Sequence, residues 1–413
     1  MKQTIPRTAG KINGLLMPLL AFALPLSTSA VSVLAVLVTL CWILEGNFKE
    51  KAGEIFRNGV CIALLLYLAL HVIGLLWSED FGDGSYLLTK QWKLLLFPVF
   101  LTGLRGEDRQ KVIYGFLAGL GIMMAATYLA WLDLLHYGGV TPEHPTRKLF
   151  HVVYNPMLAF GFYLAMDEAL KGGRPLGRRA GWTALALLMV FNMFITEGRT
   201  GQLAFFFMVL VLLLQQFRKK IAWGILTAMI VLPMLFAAGY RLSPTFHSRV
   251  QEAWKEVAQF NYNPQTSIGY RIHFWKISWR IFSEHPWLGV GTTDFKSFYY
   301  LMNREVSPRI QPTDNPHNQY LLVLCQFGIV GLAALLGIFA LMIRDGLAIR
   351  DSLSRVRQAF PLFFLLIMMA ESYLIISETG FLFSLFGAVL YKQVPMERHG
   401  DHGKGDGLQG EDR

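Results

Sequence analysis

The chain alternates long apolar blocks with short polar ones. Apolar residues fill most of 13–240 and then 317–392, and several blocks approach or exceed the roughly 18 residues that mark a membrane helix. Apolar and polar residues do not alternate singly within the blocks, which excludes the pattern of a membrane β-barrel. We therefore predict an all-α polytopic membrane protein with about twelve transmembrane helices.

Charged, glycine-rich or proline-containing turns separate the predicted spans. The spans cover 13–27, 30–45, 59–77, 86–102, 112–136, 152–170, 180–197, 201–216, 221–240, 317–343, 359–377 and 380–392. This divides the chain into four parts: nine helices in 1–240, a large external loop with amphipathic helices in 241–316, three helices in 317–392, and a tail predicted to be disordered in 393–413.

Loop charge predicts the orientation. The N-terminus and five alternate loops are rich in Lys and Arg, as cytoplasmic loops are, so both termini are predicted to be cytoplasmic.

The composition agrees with a membrane protein: of the 413 residues 54% are hydrophobic and 16% charged, against roughly a quarter charged in soluble domains. Because the basic loops explain most of the net charge of +10, we expect no nucleic-acid partner. The three cysteines lie in apolar blocks and are interpreted as buried hydrophobes.

Further cations gather on the predicted external side, from four separate parts of the chain. Besides the long loop, they occur in a tight turn and near the outer ends of two spans: Arg199, Lys90, Lys93, Arg147 and His151. Long loops are exempt from the positive-inside rule, so their charge needs another explanation. The convergence predicts an anionic ligand at the outer leaflet.

The segment "SIGYRIHFWKISWRIFSEHPWLGVG" predicts a short amphipathic helix. Arg280 belongs to its polar stripe, whereas Arg271 lies on the aromatic side. A guanidinium there is costly without a partner, and it can hold phosphate through two parallel hydrogen bonds. The alternative is a snorkelling or cation–π arginine.

Arg199 lies in "ITEGRTGQLAF", a very tight predicted turn. Gly198 and Gly201 permit close backbone approach, and Thr200 is predicted to cap the next helix. A helix N-terminus beside an arginine can bind an anion. Alternatively, Arg199 pairs with Glu197 or with lipid headgroups.

His317 begins an apolar helix in "QPTDNPHNQYLLVLCQFGIVGL". Asp314 or Asn315 is the predicted cap, with Pro316 in the first turn. The positive end of the helix dipole disfavours imidazolium, so we expect His317 to be neutral and able to accept a proton. The alternative is a histidine that only caps or hydrogen-bonds. We find no metal-binding or nucleotide-binding motif and expect no metal and no cofactor.

Three segments together resemble one family. "EGRTGQLAFF", "GYRIHFWKISWRIFSEHPWLGVGTTDF" and "PHNQYLLVLCQFGIVGL" occur in this order within about 180–345, a pattern similar to the O-antigen ligase and polymerase superfamily of the Wzy_C type. The resemblance implies a GT-C-like glycosyltransferase facing the periplasm from the bacterial inner membrane. It would transfer a glycan from undecaprenyl pyrophosphate to a sugar hydroxyl of lipid A–core, completing lipopolysaccharide, without metal and with inversion.

The resemblance also implies roles for individual residues. Arg199 and Arg271 match arginines that would bind the pyrophosphate, and His317 matches the histidine that would serve as general base. Further candidate substrate-binding residues are Lys90, Lys93, Arg147, His151, Arg280, Asn318 and Tyr320. Membrane lipids complete the expected partners. The alternatives are an O-antigen polymerase or a protein O-oligosaccharyltransferase using the same donor, and, less favoured, a transporter of lipid-linked glycans.

Overall fold

The chain is all-helical, as the sequence predicts. The computed structural model describes residues 4–82, 85–136, 138–146, 151–259, 265–308 and 310–393, and within these ranges helices are joined by turns without a β-strand. Arg147 and residues 394–413 of the predicted tail lie outside the described residues.

The α-helices follow one another along the chain with few long connections. They are α1 Thr4–Ala23, α2 Thr28–Glu45, α3 Phe48–Arg57, α4 Gly59–Ile73, α5 Ser85–Thr89, α6 Leu96–Gly103, α7 Arg109–Trp131, α8 His151–Leu170, α9 Leu176–Ile195, α10 Arg199–Gln216, α11 Ile221–Leu242, α12 Pro244–Ala258, α13 Ser267–Glu284, α14 Phe295–Val306, α15 Gln319–Ala348, α16 Ser354–Ile367 and α17 Ser377–Tyr391. Short 3-10 helices occupy Gly74–Trp77, Lys90–Lys93 and Gly106–Asp108.

The helices identify a polytopic membrane protein. Each of the twelve segments predicted to span overlaps at least one α-helix. In the described part of the chain, six helical segments are long and apolar enough to cross a membrane by length and composition: Thr28–Glu45, Gly59–Trp77, Gly106–Trp131, Arg199–Gln216, Ile221–Leu242 and Gln319–Ala348. Whether the shorter helices complete a set of twelve spans stays a prediction.

The segment predicted as one span over 86–102 is broken in the structure. α5 passes through a 3-10 turn before α6 begins at Leu96. The break is held by Lys93, whose buried Nζ donates to the Ile375 carbonyl at 2.8 Å. The Lys93 carbonyl accepts from Ser384 Oγ at 2.9 Å. These long-range hydrogen bonds give partners to the backbone carbonyls near the break and to the buried Lys93 ammonium.

The segment predicted as a span over 359–377 is also shorter than expected. α16 ends at Ile367, and residues 368–376 form a connection without an α-helix before α17. The first residue of α15 holds this connection in place. Gln319 N–H donates to the Met368 carbonyl at 2.9 Å, and Gln319 Oε1 accepts from Leu374 N–H at 3.1 Å. A buried non-helical backbone needs such partners.

The described part of the segment 241–316 contains the three helices α12, α13 and α14. Thr266 caps α13 by accepting from Gly269 N–H at 3.1 Å, as a preferred N-cap residue does. The apolar side of α13 joins a cluster of buried residues from α13, α14 and α15 that includes Phe274, Ile277, Ile281, Tyr299, Leu322 and Cys325. α13 is therefore packed against the helix that His317 precedes.

A glycine kink in α15 receives the loop that follows α13. Gly328 has φ 60° and ψ −152° inside the helix. The bonds that the kink opens are replaced from the loop: Ile329 N–H donates to the Pro286 carbonyl at 2.8 Å, and Val290 N–H donates to the Cys325 carbonyl at 2.8 Å. A β-carbon on Gly328 would lie 2.4 Å from the Trp287 carbonyl. Only glycine fits there.

Gly328→Ala should destabilise the protein because it puts a β-carbon on a conformation (φ 60°, ψ −152°) that is essentially restricted to glycine and costs of order 1–3 kcal/mol for other residues, and because it adds a backbone clash. Gly337→Ala in the same helix is the matched control, since a β-carbon there meets no atom within 4 Å. We expect the thermal unfolding midpoint in detergent to fall for the first variant and to hold for the second. Equal midpoints would contradict this role of the kink.

Candidate active site

A cavity of about 540 Å³ opens where α8 and α13 meet the turn before α15 and the connection 368–376. Its walls are apolar and aromatic with a few polar groups, as in many ligand sites. The polar members are His151, Ser267, Arg271, Asn315, His317 and Glu371. Two of the three residues predicted to carry the chemistry, Arg271 and His317, therefore share one cavity.

His317 is held by a buried carboxylate. Its Nδ1 lies 2.6 Å from Oε2 of Glu371, a residue 54 positions further along the chain. The Glu371 side chain is 7% exposed and that of His317 36% exposed, so the imidazole is the member of the pair that reaches the cavity. Phe274 stacks on the ring at a centroid distance of 5.8 Å. With a proton on Nδ1 directed at Glu371, the lone pair of Nε2 is left to accept another proton.

Glu371 is further bound by two groups. Oε1 accepts from Asn315 Nδ2 at 2.8 Å and from the backbone N–H of Ser372 at 2.9 Å. Burial works against ionisation, but the His317 contact and these hydrogen bonds outweigh it and lower the pKa of Glu371. The network therefore maintains a fixed anion behind the histidine.

The start of α15 differs from the sequence interpretation. Asn318 is the N-cap, and its Oδ1 accepts from the N–H groups of Tyr320 and Leu321 at 3.0 and 3.2 Å. His317 precedes the cap with φ 52°, whereas Asn315 bonds to Glu371 instead of capping. The prediction of Asp314 or Asn315 as cap was wrong, because Asn318 supplies the side-chain oxygen at the helix entrance. The ring is oriented by Glu371 as well as by the helix end.

The Arg271 guanidinium has no carboxylate partner among the described residues. It projects from α13 into the cavity and is partly buried. Among the residues that the structure describes, no carboxylate lies within ion-pair distance of it and it makes no side-chain hydrogen bond. A guanidinium held in a semi-enclosed site without a counter-ion is suited to bind an anion.

Arg199 is placed differently, in an ion-pair cluster beside the cavity. It is the first residue of α10, and its Nη2 lies 2.8 Å from Glu256 and 3.3 Å from Glu252, both on α12. The alternative partner considered from the sequence, Glu197, instead pairs with Arg249 at 2.7 Å. Because Arg199 opens the helix, Thr200 lies inside it and is not the cap as predicted; the N-cap is Gly198.

Glu256 links this cluster to the cavity. Its second oxygen accepts from Ile268 N–H in the first turn of α13 at 2.8 Å. Burial opposes its ionisation, but the bonds from Arg199 and Ile268 outweigh this effect and lower the pKa of Glu256. The carboxylate therefore connects Arg199 with the helix that carries Arg271.

A second cavity, of about 590 Å³, adjoins the first and shares Asn315 and Ile376 with it. Lys90 and Lys296 lie in its wall together with Asp314, whose carboxylate lies 3.8 Å from the Lys296 ammonium. The Lys90 ammonium lies 4.4 Å from the centre of the Tyr86 ring. The Asn315 side chain, which bonds to Glu371, lies between this second cavity and the cavity that contains His317.

The other predicted site residues divide into lining and structural groups. His151 lines the first cavity. The buried amine of Lys93 is bonded to the Ile375 carbonyl and so braces the connection 368–376; its part in substrate binding stays a prediction. Tyr320 donates to the Leu365 carbonyl at 2.6 Å, and Asn318 caps α15. Arg280 is exposed and pairs with Glu284 at 3.1 Å.

Glu371 is the site residue that sequence reasoning missed. It stands in the run "LLIMMAESYLII", which was assigned to a span. An acid inside an apolar run is expensive in a membrane and is by default a functional position. That isolated charge was the available signal.

Two comparisons with known proteins point to the same family. A family model described as Wzy_C, O-antigen ligase, matches residues 184–336, a region containing Arg199, Arg271 and His317. This stretch of the chain is therefore similar to the Wzy_C family. The O-antigen ligase of Pseudomonas aeruginosa is 29% identical over 289 residues, which cover 68% of this chain and 63% of that relative's length. Together these matches support assigning the chain to the O-antigen ligase family; Glu371 and Lys90 lie outside the matched Wzy_C region.

Glu371→Gln should lower stability in a pH-dependent way. Because the folded-state pKa is depressed, the stabilisation is complete above the unfolded value of about 4.3 and disappears as the pH falls through the lower folded value. We expect the unfolding midpoint of the variant to lie below that of the parent at pH 7 and the gap to close in acid. Glu284→Gln, in an exposed pair, is the control. A gap that does not depend on pH would contradict an ionised Glu371.

Proposed function

We propose that the protein is an O-antigen ligase that transfers a glycan from undecaprenyl pyrophosphate to a sugar hydroxyl of lipid A–core at the periplasmic face of the inner membrane. The observation that carries the proposal is the His317–Glu371 pair, which faces the same cavity as the unpaired Arg271. A base and an anion-binding cation within one site are the two elements that such a transfer requires.

His317 acts as the general base. Its Nδ1 proton is directed at Glu371, so Nε2 takes the proton of the acceptor hydroxyl as that oxygen attacks the anomeric carbon of the donor. The new glycosidic C–O bond forms while the bond from the anomeric carbon to the phosphate oxygen breaks. The electron pair leaves with undecaprenyl pyrophosphate. Glu371 stabilises the imidazolium that results.

Arg271 stabilises the charge that develops on the leaving pyrophosphate. Because it has no carboxylate partner among the described residues, it binds a phosphate without first breaking an ion pair. Arg199 contributes after exchanging Glu256 or Glu252 for a phosphate oxygen. The released carboxylate keeps a partner, because Glu252 also pairs with Arg249 at 2.8 Å and Glu256 also accepts from Ile268 N–H at 2.8 Å.

The second cavity is suited to the acceptor. Lys90 suits a phosphate of a charged lipid-linked saccharide, Lys296 can join it by exchanging Asp314 for a phosphate oxygen, and Asn315 joins the wall to the Glu371 network. The remaining alternatives, a polymerase, a protein O-oligosaccharyltransferase and a transporter, differ in the acceptor or in the absence of transfer.

Arg271→Gln should reduce glycan transfer by about 100-fold or more, because it removes a charge that stabilises the leaving group. Arg280→Gln on the same helix is the matched control and should retain the parental rate within about two-fold, as its exposed ion pair contributes little. The measurement is transfer from undecaprenyl-pyrophosphate glycan to lipid A–core by purified protein in the presence of a chelator. Full activity of Arg271→Gln, or a strict requirement for a divalent ion, would refute the arginine scheme.

The same assay with His317→Ala identifies the reaction. Glycan on lipid A–core that disappears in the variant supports the ligase. Lengthening of the lipid-linked glycan would assign the protein to the polymerases, and a glycosylated protein acceptor to the oligosaccharyltransferases. Movement of the lipid-linked glycan across a bilayer without transfer would favour the transporter.

Lys90→Gln should raise KM for lipid A–core by roughly three-fold to ten-fold with little change in kcat, because it weakens binding of the acceptor without altering the base or the leaving group. Lys255→Gln is the control: this exposed lysine of α12 carries the same charge and lies outside both cavity linings. If KM for lipid A–core were unchanged in Lys90→Gln, or raised equally in both variants, the placement of the acceptor in the second cavity would be contradicted.

A further inference from the structure

At the end of the bundle opposite His317, the helices border an open cavity of about 1060 Å³. It lies among the last turns of α10 and α15 and the first turns of α11 and α16. Its volume is about twice that of the 540 Å³ cavity at His317, and none of the proposed chemistry uses it.

The lining of this cavity has two parts. One wall is aliphatic and includes Leu214, Ile343 and Leu362. The other carries the guanidinium groups of Arg218, Arg350 and Arg355. An aliphatic wall bordered by cations has the chemistry of a lipid with an anionic head.

Two of these arginines lack an anion. Arg218 and Arg350 are exposed, and in the described ranges neither side chain forms an ion pair or a hydrogen bond. The nearest acid in the lining, Asp351, is already bound by Arg357 at 2.7 Å and by Arg109 at 3.1 Å. Its charge is therefore compensated elsewhere, and the cavity rim keeps a positive excess.

The third arginine is anchored. Arg355 Nη1 donates to Gln216 Oε1 at 3.3 Å, and its Nε lies 3.3 Å from Asp167. Asp167 is shared with Lys171 at 3.5 Å. These protein contacts hold the Arg355 side chain at the rim of the cavity even when no ligand is bound.

The helix that closes the cavity packs loosely against the protein. In the apolar window of α11 11% of residues are buried, against 56% in α15. A lightly packed helix in a membrane leaves room for acyl chains beside the aliphatic wall. The first turn of α11 borders the cavity, and its N-cap residue Lys220 provides no side-chain cap.

We propose that this cavity binds one anionic glycerophospholipid from the leaflet opposite the His317 site. Its phosphate lies among Arg218, Arg350 and Arg355, and its acyl chains lie along the aliphatic wall. Because the cavity joins the far ends of α10 and α15, the lipid bridges the helices associated with Arg199 and His317. The proposal does not depend on the transfer reaction.

The test uses the full chain, purified in detergent and delipidated. Phosphatidylglycerol and phosphatidylcholine are added separately, and bound lipid is counted by native mass spectrometry. We expect one retained phosphatidylglycerol, and at least roughly ten-fold weaker retention in Arg218→Gln/Arg350→Gln, because each cation near a lipid headgroup strengthens binding several-fold. Neither residue has a described partner to lose, so the variant should fold normally.

The matched control is Lys49→Gln/Arg178→Gln, which removes the same charge from exposed positions of α3 and α9 outside the cavity. It should retain phosphatidylglycerol like the parent. Equal retention of both lipids by the parent, or equal loss in both double variants, would overturn the proposal. Displacement of the lipid by inorganic phosphate at the same concentration would also overturn it, because the acyl chains would then contribute nothing.

Discussion

A buried carboxylate governs the arrangement at the site. Glu371 is 7% exposed on its side chain, and an ionised carboxylate in such a place is stable only if donors surround it. His317, Asn315 and the Ser372 backbone supply those donors. The hydrogen bonds that stabilise the Glu371 carboxylate therefore also fix the imidazole, the turn before α15 and the connection 368–376. Gln319 and Lys93 hold the same connection from two other helices.

The interlock at Gly328 extends this order along α15. The loop after α13 replaces the hydrogen bonds that the kink opens, and Trp275 Nε1 donates to the Pro316 carbonyl at 3.1 Å. α13 is thus bonded to the α15 region both at the kink and at the turn before His317. Arg271 and His317 keep their relative positions because the elements that carry them are joined at two places.

The sequence predicted well what depends on local pattern. Apolar blocks located the helices, and the polar stripe together with the aromatic side identified α13 and the unusual place of Arg271. His317 was found from its position at the water boundary. Glu371 was missed because its meaning depends on a partner 54 residues away. The break after α5 depends likewise on a bond between Lys93 and Ile375, 282 positions apart, and no periodicity encodes such pairings.

The site cavity has walls of unequal strength. One is closed by hydrogen bonds and packing between α13 and α15, whereas the side toward α10 and α12 is held by carboxylate–guanidinium contacts at Arg199, which is 28% exposed on its side chain. Partly exposed ion pairs weaken as dissolved ions screen them, and the screening length falls from about 10 Å at 0.1 M to about 3 Å at 1 M salt. A rise in ionic strength should therefore weaken the contacts on this side more than the hydrogen bonds and packing on the opposite side.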